Sequence, residues 1–167
     1  MPAASVAICT ANRHDRLAET LGELLPIVDP RGLLTPLLDG WSLDGWLLAE
    51  DGRCLLPSRA ADCRQRQEIG AGVRIITDTE TTGLALTSSA WVELEGGVPV
   101  CKLRLQARAD SDAWLVLALR PANPEGISFI HQVSLSPGRD AWTVDDAQRV
   151  EFSRAAERHH ISDYRHG

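Results

Sequence analysis

The fold class of this chain is decided by residues 113–133, AWLVLALRPANPEGISFIHQV, in which two apolar runs flank a proline-rich corner. Residues 114–119 are short, apolar and rich in Leu, Val and Trp, which is typical of a buried β-strand. The run ends at Arg120-Pro121, because proline cannot donate to a sheet ladder and forces its predecessor into extended geometry. Since such an apolar strand makes a poor exposed edge, we expect it to lie centrally in its sheet.

The second run, residues 127–135, alternates in polarity with a period of two. This pattern predicts a strand with one face more buried than the other. The face expected to be more buried carries Ile127, Phe129, His131, Val133 and Leu135. Gly126 precedes the strand and gives the corner the backbone freedom that it needs.

Short strand candidates with turn residues between them fill most of the remaining chain. They are residues 46–48, 54–56, 73–79, 84–87, 90–94, 98–107, 142–144 and 150–152. Asp44-Gly45 and Ser88-Ser89 are interpreted as breaks, Asp51-Gly52 as a hairpin turn, and residues 58–67 as a loop or one helical turn. The spacing predicts a mainly β fold, an antiparallel two-sheet sandwich.

One short helix is predicted at residues 15–25, where leucines recur on one helical stripe and Pro26 ends the pattern. The chain then divides into an N-terminal appendage with this helix (1–36), an antiparallel β-sandwich (37–153) and a polar C-terminal tail (154–167). Residues 6–9 form a short strand or a frayed end. Together with residues 150–152 they are the expected sheet edges.

Composition excludes several classes of partner. The chain of 167 residues has 44% hydrophobic and 24% charged residues and a net charge of −6. An acidic protein is a poor ligand for nucleic acid or an anionic membrane, which both favour a basic surface. No apolar run approaches the roughly 20 residues of a membrane span, and no signal peptide is visible. We therefore expect a cytoplasmic protein with neither a nucleic-acid nor a membrane partner.

The four cysteines show no Cys-x-x-Cys spacing, so neither a zinc ribbon nor a redox dithiol is predicted. In a cytosolic chain they are expected to be reduced, with a Cys54–Cys63 disulfide as the minor alternative. His159, His160, His166 and Asp163 cluster near the C-terminus. Adjacent histidines on a strand point to opposite faces, so a solvated tail is favoured over a metal site.

Five residues are candidates for substrate binding: Trp41, Arg120, Asn123, Glu125 and His131. Most tryptophans are expected to be at least half buried as core residues. Trp41, between Gly40 and Ser42, is the one predicted to be exposed and able to stack on a sugar. The other four residues flank the corner, where Arg120 and Glu125 are expected to pair and Asn123 to bond its own backbone. The structural interpretation of this group is favoured over a polar pocket.

No complete catalytic constellation is visible in the sequence. Gly-x-Ser-x-Gly, P-loop and Gly-x-Gly-x-x-Gly motifs are all missing, so no cofactor is predicted. No spacing singles out a carboxylate pair for glycoside hydrolysis, which needs two carboxylates about 5–10 Å apart. No catalytic residue and no metal ligand is therefore assigned.

Three segments carry a resemblance to a known family: GWLL at 45–48, Arg120-Pro121 followed by NPEGISFIH at 123–131, and SDYRHG at 162–167. Residues 40–167 resemble the N-terminal β-sandwich, or supersandwich, of bacterial glycogen-debranching-enzyme-like proteins of the amylo-α-1,6-glucosidase or glucoamylase-like group. In that family an (α/α)6 toroid follows the sandwich and holds the catalytic carboxylates. No position of this chain matches them.

The resemblance implies a non-catalytic sandwich domain that packs against a helical catalytic domain absent from this chain. One alternative is a stand-alone carbohydrate-binding module for α-glucans, which would use Trp41 to bind an oligosaccharide. Another is a small enzyme with a site around Arg120, Asn123, Glu125 and His131. A domain cut from its partner exposes apolar surface and sheet edges, so we also expect a two-fold homodimer, although a monomer is nearly as well supported.

Overall fold

The computed structural model describes residues 3–9, 26–37 and 40–162, and these form antiparallel β-sheets with one 3₁₀ turn at Pro57–Arg59. The strands in chain order are β1 (Ala3–Cys9), β2 (Ile27–Val28), β3 (Leu34–Thr35), β4 (Ser42–Ala49), β5 (Cys54–Leu55), β6 (Cys63–Ile69), β7 (Val73–Thr81), β8 (Leu84–Glu95), β9 (Val98–Ala109), β10 (Ala113–Arg120), β11 (Ala122–Asn123), β12 (Gly126–Ile127), β13 (Val133–Leu135), β14 (Ala141–Val144) and β15 (Gln148–Phe152).

The strands form a large sheet, a small sheet and a two-stranded ribbon. The large sheet has the order β13-β14-β15-β1-β9-β8-β7-β6, the small sheet has the order β10-β4-β3-β2 with β5 also on β4, and β11 pairs with β12. The whole is a half-barrel. The predicted mainly β, antiparallel fold is confirmed. The two-sheet sandwich stays a prediction, and the predicted helix at 15–25 lies outside the described residues.

The core lies between the inner faces of the two sheets. The small sheet contributes Leu34, Leu43, Leu47 and Leu55, and the large sheet contributes Leu84, Leu86, Leu103, Leu105 and Val150, all at most 2% exposed. At the centre Gly45 of β4 faces Leu105, and a Cβ added to Gly45 would lie 2.8 Å from Leu105 Cδ2. The contact favours glycine, because an added methyl group would force the Leu105 side chain to shift within a packed core.

Two predicted breaks are continuous strand in the structure. Asp44-Gly45 lies inside β4, and Ser88-Ser89 lies inside β8. Both predictions were wrong because Gly, Asp and Ser favour turns locally, whereas here Gly45 and Ser89 are buried by tertiary packing. The polar segment 58–67, expected to be a loop or one helical turn, begins in the 3₁₀ turn Pro57–Arg59 and then enters β6, which pairs with β7 along its whole length. The Asp51-Gly52 hairpin is confirmed.

The predicted edges and the predicted central strand are both wrong. β1 lies between β15 and β9, and β15 lies between β14 and β1, so neither is an edge. The apolar β10 pairs with β4 alone and ends the small sheet. Strand order follows from pairings between distant segments, which the hydrophobicity of a single strand does not encode.

The segment that follows the proline corner is not the continuous strand that its alternation predicts. Only Gly126–Ile127 and Val133–Leu135 are strand, and the face expected to be more buried is exposed at Ile127 (76%) and Phe129 (79%). The backbone N–H groups of His131 and Gln132 donate to Asp145 Oδ1, both at 2.8 Å. The Asp145 side chain, from another turn, therefore takes the place of the backbone hydrogen bonds that the expected strand would have made to a neighbouring strand. Gly126 has a φ of +151°, which agrees with its predicted role.

Candidate functional site

The outer face of the small sheet brings together the polar and aromatic side chains best suited to recognition. Leu43 and Leu47 of β4, and Leu115, Leu117 and Leu119 of β10, point into the core. Because successive side chains of a strand alternate between faces, the residues between them point outwards. This outer face carries Ser42, Asp44, Trp46 and Leu48 from β4 and Trp114, Val116, Ala118 and Arg120 from β10.

Asp44 is the most unusual group on the outer face, because its carboxylate is buried. Its side chain is 4% exposed, the Trp46 indole N–H donates to its Oδ2 at 2.7 Å, and Arg120 Nη1 lies 3.8 Å away. Burial disfavours the charged form and raises the pKa of Asp44, while the Trp46 hydrogen bond and the Arg120 charge oppose that shift. A carboxyl group whose pKa is raised by burial in spite of favourable partners is common at functional sites.

A small open pocket lies beside Asp44. It has a volume of about 100 Å³ and is lined by Asp29, Arg31, Leu33, Asp44, Ser58, Arg120 and Ala122. The Asp29 carboxylate already accepts hydrogen bonds within its own turn, since its Oδ1 accepts the backbone N–H groups of Arg31 and Leu33 at 2.9 and 2.8 Å. The pocket is smaller than the roughly 300–1,000 Å³ of typical ligand sites. It offers Asp44 as a single buried acid, without the carboxylate pair that glycoside hydrolysis requires.

The two tryptophans of the outer face each lie against an arginine. The Arg120 guanidinium is 5.5 Å from the centre of the Trp46 ring, and that of Arg158 is 4.5 Å from the centre of Trp114. Trp46 is directly opposite Val116, and Trp114 is opposite Leu48, so the two indoles are diagonal neighbours. An aromatic pair of this kind suits an apolar ligand face, but a stacking ligand has to displace or share these cations.

The structure does not bring the five predicted binding residues together in the pocket beside Asp44. Trp41 is 4% exposed and its indole N–H donates to Gln148, so the prediction that it is exposed was wrong. Trp41 belongs to the core because Gln148 of β15, distant in sequence, packs against its indole. The expectation that most tryptophans are at least half buried is confirmed.

The corner residues are divided between two environments. Asn123 Oδ1 accepts the N–H groups of Glu125 and Gly126, which confirms the predicted local turn, and its Nδ2 donates to Gly40 O at 2.9 Å. Arg120 approaches Asp44 instead of the predicted partner Glu125, which is exposed. The His131 side chain is 85% exposed, with its Nδ1 3.9 Å from Asp145 Oδ2. Of the predicted residues, only Arg120 belongs to the pocket.

Sequence reasoning missed Asp44, Asp29, Arg31 and Ser58 of the pocket. One available signal was Asp44 itself, a carboxylate two residues before a tryptophan within an apolar segment. That signal was hidden by the Asp-Gly pair, which equally indicates a turn.

Neither a metal centre nor a disulfide is present in the part of the chain that the structure describes. No cluster of three metal-ligating side chains occurs there; His159 and His160 are exposed, and Asp163 and His166 lie outside it. Cys54, Cys63 and Cys101 are free thiols, and burial raises the pKa of Cys101 to about 12, so it is protonated at neutral pH. No helix among the described residues is long and apolar enough to cross a membrane.

Comparison with known proteins adds no relative: no protein-family model, no curated protein and no solved structure matches this chain.

Proposed function

We propose that this chain is a non-catalytic, cytoplasmic β-sandwich domain of a glycogen-debranching-like glycoside hydrolase, and that it packs against a helical catalytic domain. The observation that carries the proposal is the exposure of Ile127 and Phe129, 76% and 79%, in the segment NPEGISFIH. Two large apolar side chains so close together in a loop are typical of a surface that a partner covers. The same segment carries the family resemblance.

The local structure supports a docking role for this corner. The turn is held by Asn123 before the two side chains and by Asp145 after them. Both anchors use side chain to backbone hydrogen bonds, which fix the segment without burying Ile127 or Phe129. A loop held by such hydrogen bonds loses less conformational entropy on binding than an unanchored loop does.

The chemistry of the pocket supports a non-catalytic role. Asp44 is its only buried acid, and Asp29 is engaged in a turn. We expect the purified chain to release no glucose from an α-1,6-branched glucan. Release at an ordinary enzymatic rate, sensitive to Asp44→Asn, would show that the chain is itself a hydrolase.

Docking is tested with the helical catalytic domain of a glycogen-debranching-like enzyme, titrated calorimetrically with this chain. The double variant I127S/F129S is expected to weaken binding by tenfold or more, about 1.4 kcal/mol or more. The matched control is I69S/V73S, which removes two apolar side chains, 83% and 54% exposed, from the β6–β7 hairpin. No binding, or equal losses in the two double variants, would argue against docking through this corner.

A second candidate function is an α-glucan-binding module, favoured by the diagonal pair of Trp46 and Trp114. Tryptophan fluorescence titrated with maltooligosaccharides tests it. A saturable change that is lost in Trp114→Ala but kept in Trp91→Ala supports the module. Trp91 is a suitable control because it also stacks under arginine, with Arg74 4.4 Å from its centre, but lies on β8 of the large sheet.

A further inference from the structure

Among the described residues, β10 leaves one edge of the small sheet unpaired. The strand pairs with β4 over its whole length, from Ala113 to Arg120, and no other described strand pairs with it. Every second residue of β10 therefore directs its backbone N–H and C=O away from the sheet. An extended segment is the natural partner for such a row of donors and acceptors.

The other sheet ends in the described part of the chain are protected, and β10 is not. β2 has two residues and β13 has three, which is too short to template another strand. β6 is long but carries Arg64, Arg66 and Glu68, and such charged side chains discourage pairing. β10 has eight residues, with no proline and no charge before Arg120, and its residues up to Leu119 are partly exposed.

We propose that β10 pairs antiparallel with β10 of a second copy of this chain, about a two-fold axis at Val116. This register joins the small sheets of the two copies into one continuous sheet. Residues whose numbers are equally distant from Val116 then face each other. The facing pairs are Asp112 with Arg120, Ala113 with Leu119, Trp114 with Ala118, Leu115 with Leu117, and Val116 with itself.

The sequence of β10 is complementary to itself in this register. Opposite charges meet at both ends, because the exposed Asp112 of each copy is opposite Arg120 of the other. On the outer face the largest side chain, Trp114, meets a small one, Ala118. On the inner face Leu115 meets Leu117, so the apolar layer that already contacts the core continues across the axis. A shift by one residue would lose both charge pairs.

Self-pairing suits a second copy better than an unrelated strand. A two-fold axis uses each favourable contact twice, so one self-complementary strand supplies the whole interface. The inference is independent of the proposed docking corner, since Ile127 and Phe129 lie outside β10.

Sedimentation equilibrium from micromolar to submillimolar concentration tests whether the dimer forms. We expect the mass to rise from 18.2 kDa towards twice that value. Val116→Lys places two like charges on the axis and is expected to give a monomer throughout. The matched control Val73→Lys changes an exposed valine of β7 and should still dimerise. A wild-type chain that stays at 18.2 kDa, or a dimer unaffected by Val116→Lys, would overturn the proposal.

Disulfide cross-linking tests the register without relying on a disruptive variant. In a background with Cys54→Ser, which removes an exposed thiol, Val116→Cys places two thiols opposite each other, with Cβ atoms about 4.5–5.5 Å apart. The Val116→Cys variant should cross-link into a dimer on mild oxidation about tenfold faster than the Ala118→Cys variant, in which the new thiol faces Trp114 of the second copy. Equal rates at the two positions, or faster cross-linking at Ala118→Cys, would refute this register.

Discussion

At the scale of single residues, β4 combines two demands that a strand rarely meets together. Asp44 points outwards and is nevertheless buried, with Trp46 and Arg120 as its partners. Gly45 points inwards, and the space where its side chain would lie is filled by Leu105. Asp44 thus loses its contact with water, and Gly45 is a residue of low β-propensity. Both are typical of positions fixed by tertiary structure.

Replacing Asp44 by asparagine should stabilise the protein at neutral pH. Burial raises the pKa of Asp44 above its usual 3.8, so its contribution to stability is fully present below about pH 4 and is lost as pH rises through the raised value. The asparagine side chain keeps an oxygen for the Trp46 N–H and carries no charge. Urea unfolding at pH 7 and pH 3 measures the effect. A smaller gain at pH 7 than at pH 3 contradicts the argument.

Replacing Gly45 by alanine should destabilise the fold by about 1–3 kcal/mol, because the added methyl group overpacks the contact with Leu105. Gly70→Ala is the control, since a Cβ there meets nothing within 4 Å and its backbone needs no positive φ. The control should change the free energy of unfolding by less than about 0.5 kcal/mol in denaturant titrations. Equal losses would mean that the two sheets do not pack tightly at Gly45.

At the scale of elements, one arginine ties together three turns at one end of the half-barrel. Arg53, at the β4–β5 turn, contacts Asp51 and Asp110 through Nη2 at 2.6 Å each, and its Nη1 donates to Thr82 O at 3.1 Å. Asp110 belongs to the β9–β10 turn and Thr82 to the β7–β8 turn. The network therefore links the small sheet to the large sheet and fixes where β10 begins.

Replacing Arg53 by methionine should raise the pKa of Asp51. Hydrogen bonds from Arg53 lower that pKa from 3.8 to about 2, so the stability that this carboxylate provides is present above about pH 4 and is lost as pH falls towards 2. NMR titration of the Asp51 carboxyl should show its midpoint returning towards 3.8 in R53M. Arg149→Met, which removes a separate surface pair with Glu151, should leave it unchanged.

At the scale of the whole molecule, β1 and β15, the first and last described strands, lie side by side within the large sheet. β1 pairs with β9 on one side and with β15 on the other, so Val6 is opposite both Leu103 and Phe152, which are far away in sequence. Without β1, both neighbours would lose a complete ladder of hydrogen bonds. Residues 3–9 are thus part of the large sheet, although this segment is short and apolar enough to suggest a frayed end.

Deleting residues 1–9 should abolish cooperative thermal unfolding, because the large sheet would split between β9 and β15. Deleting residues 159–167, which begin with the exposed His159 and His160, should leave the unfolding transition nearly unchanged. Circular dichroism at strand wavelengths measures both. A cooperative transition of unaltered midpoint after removal of β1 would show that it contributes little to the fold.

The sequence by itself determined the properties that depend on neighbouring residues. Short runs of strand-forming residues identified β7, β9 and β10, whose predicted ranges 73–79, 98–107 and 114–119 lie within the observed strands. The hairpin at Asp51-Gly52 and the turn at Asn123 were predictable for the same reason, since their hydrogen bonds close within a few residues. Arg120 was the one pocket residue among the predicted candidates.

Only the tertiary structure decided which strands are edges, which tryptophan is buried and where a carboxylate loses its water. β10 lies at a sheet edge and β1 lies inside its sheet, the reverse of the prediction, because strand order depends on pairing between distant segments. Trp41 is covered and Asp44 is enclosed by residues far away in sequence, among them Gln148 and Arg120. Burial is a property of the assembled surfaces, and no local pattern around either residue encodes the elements that cover it.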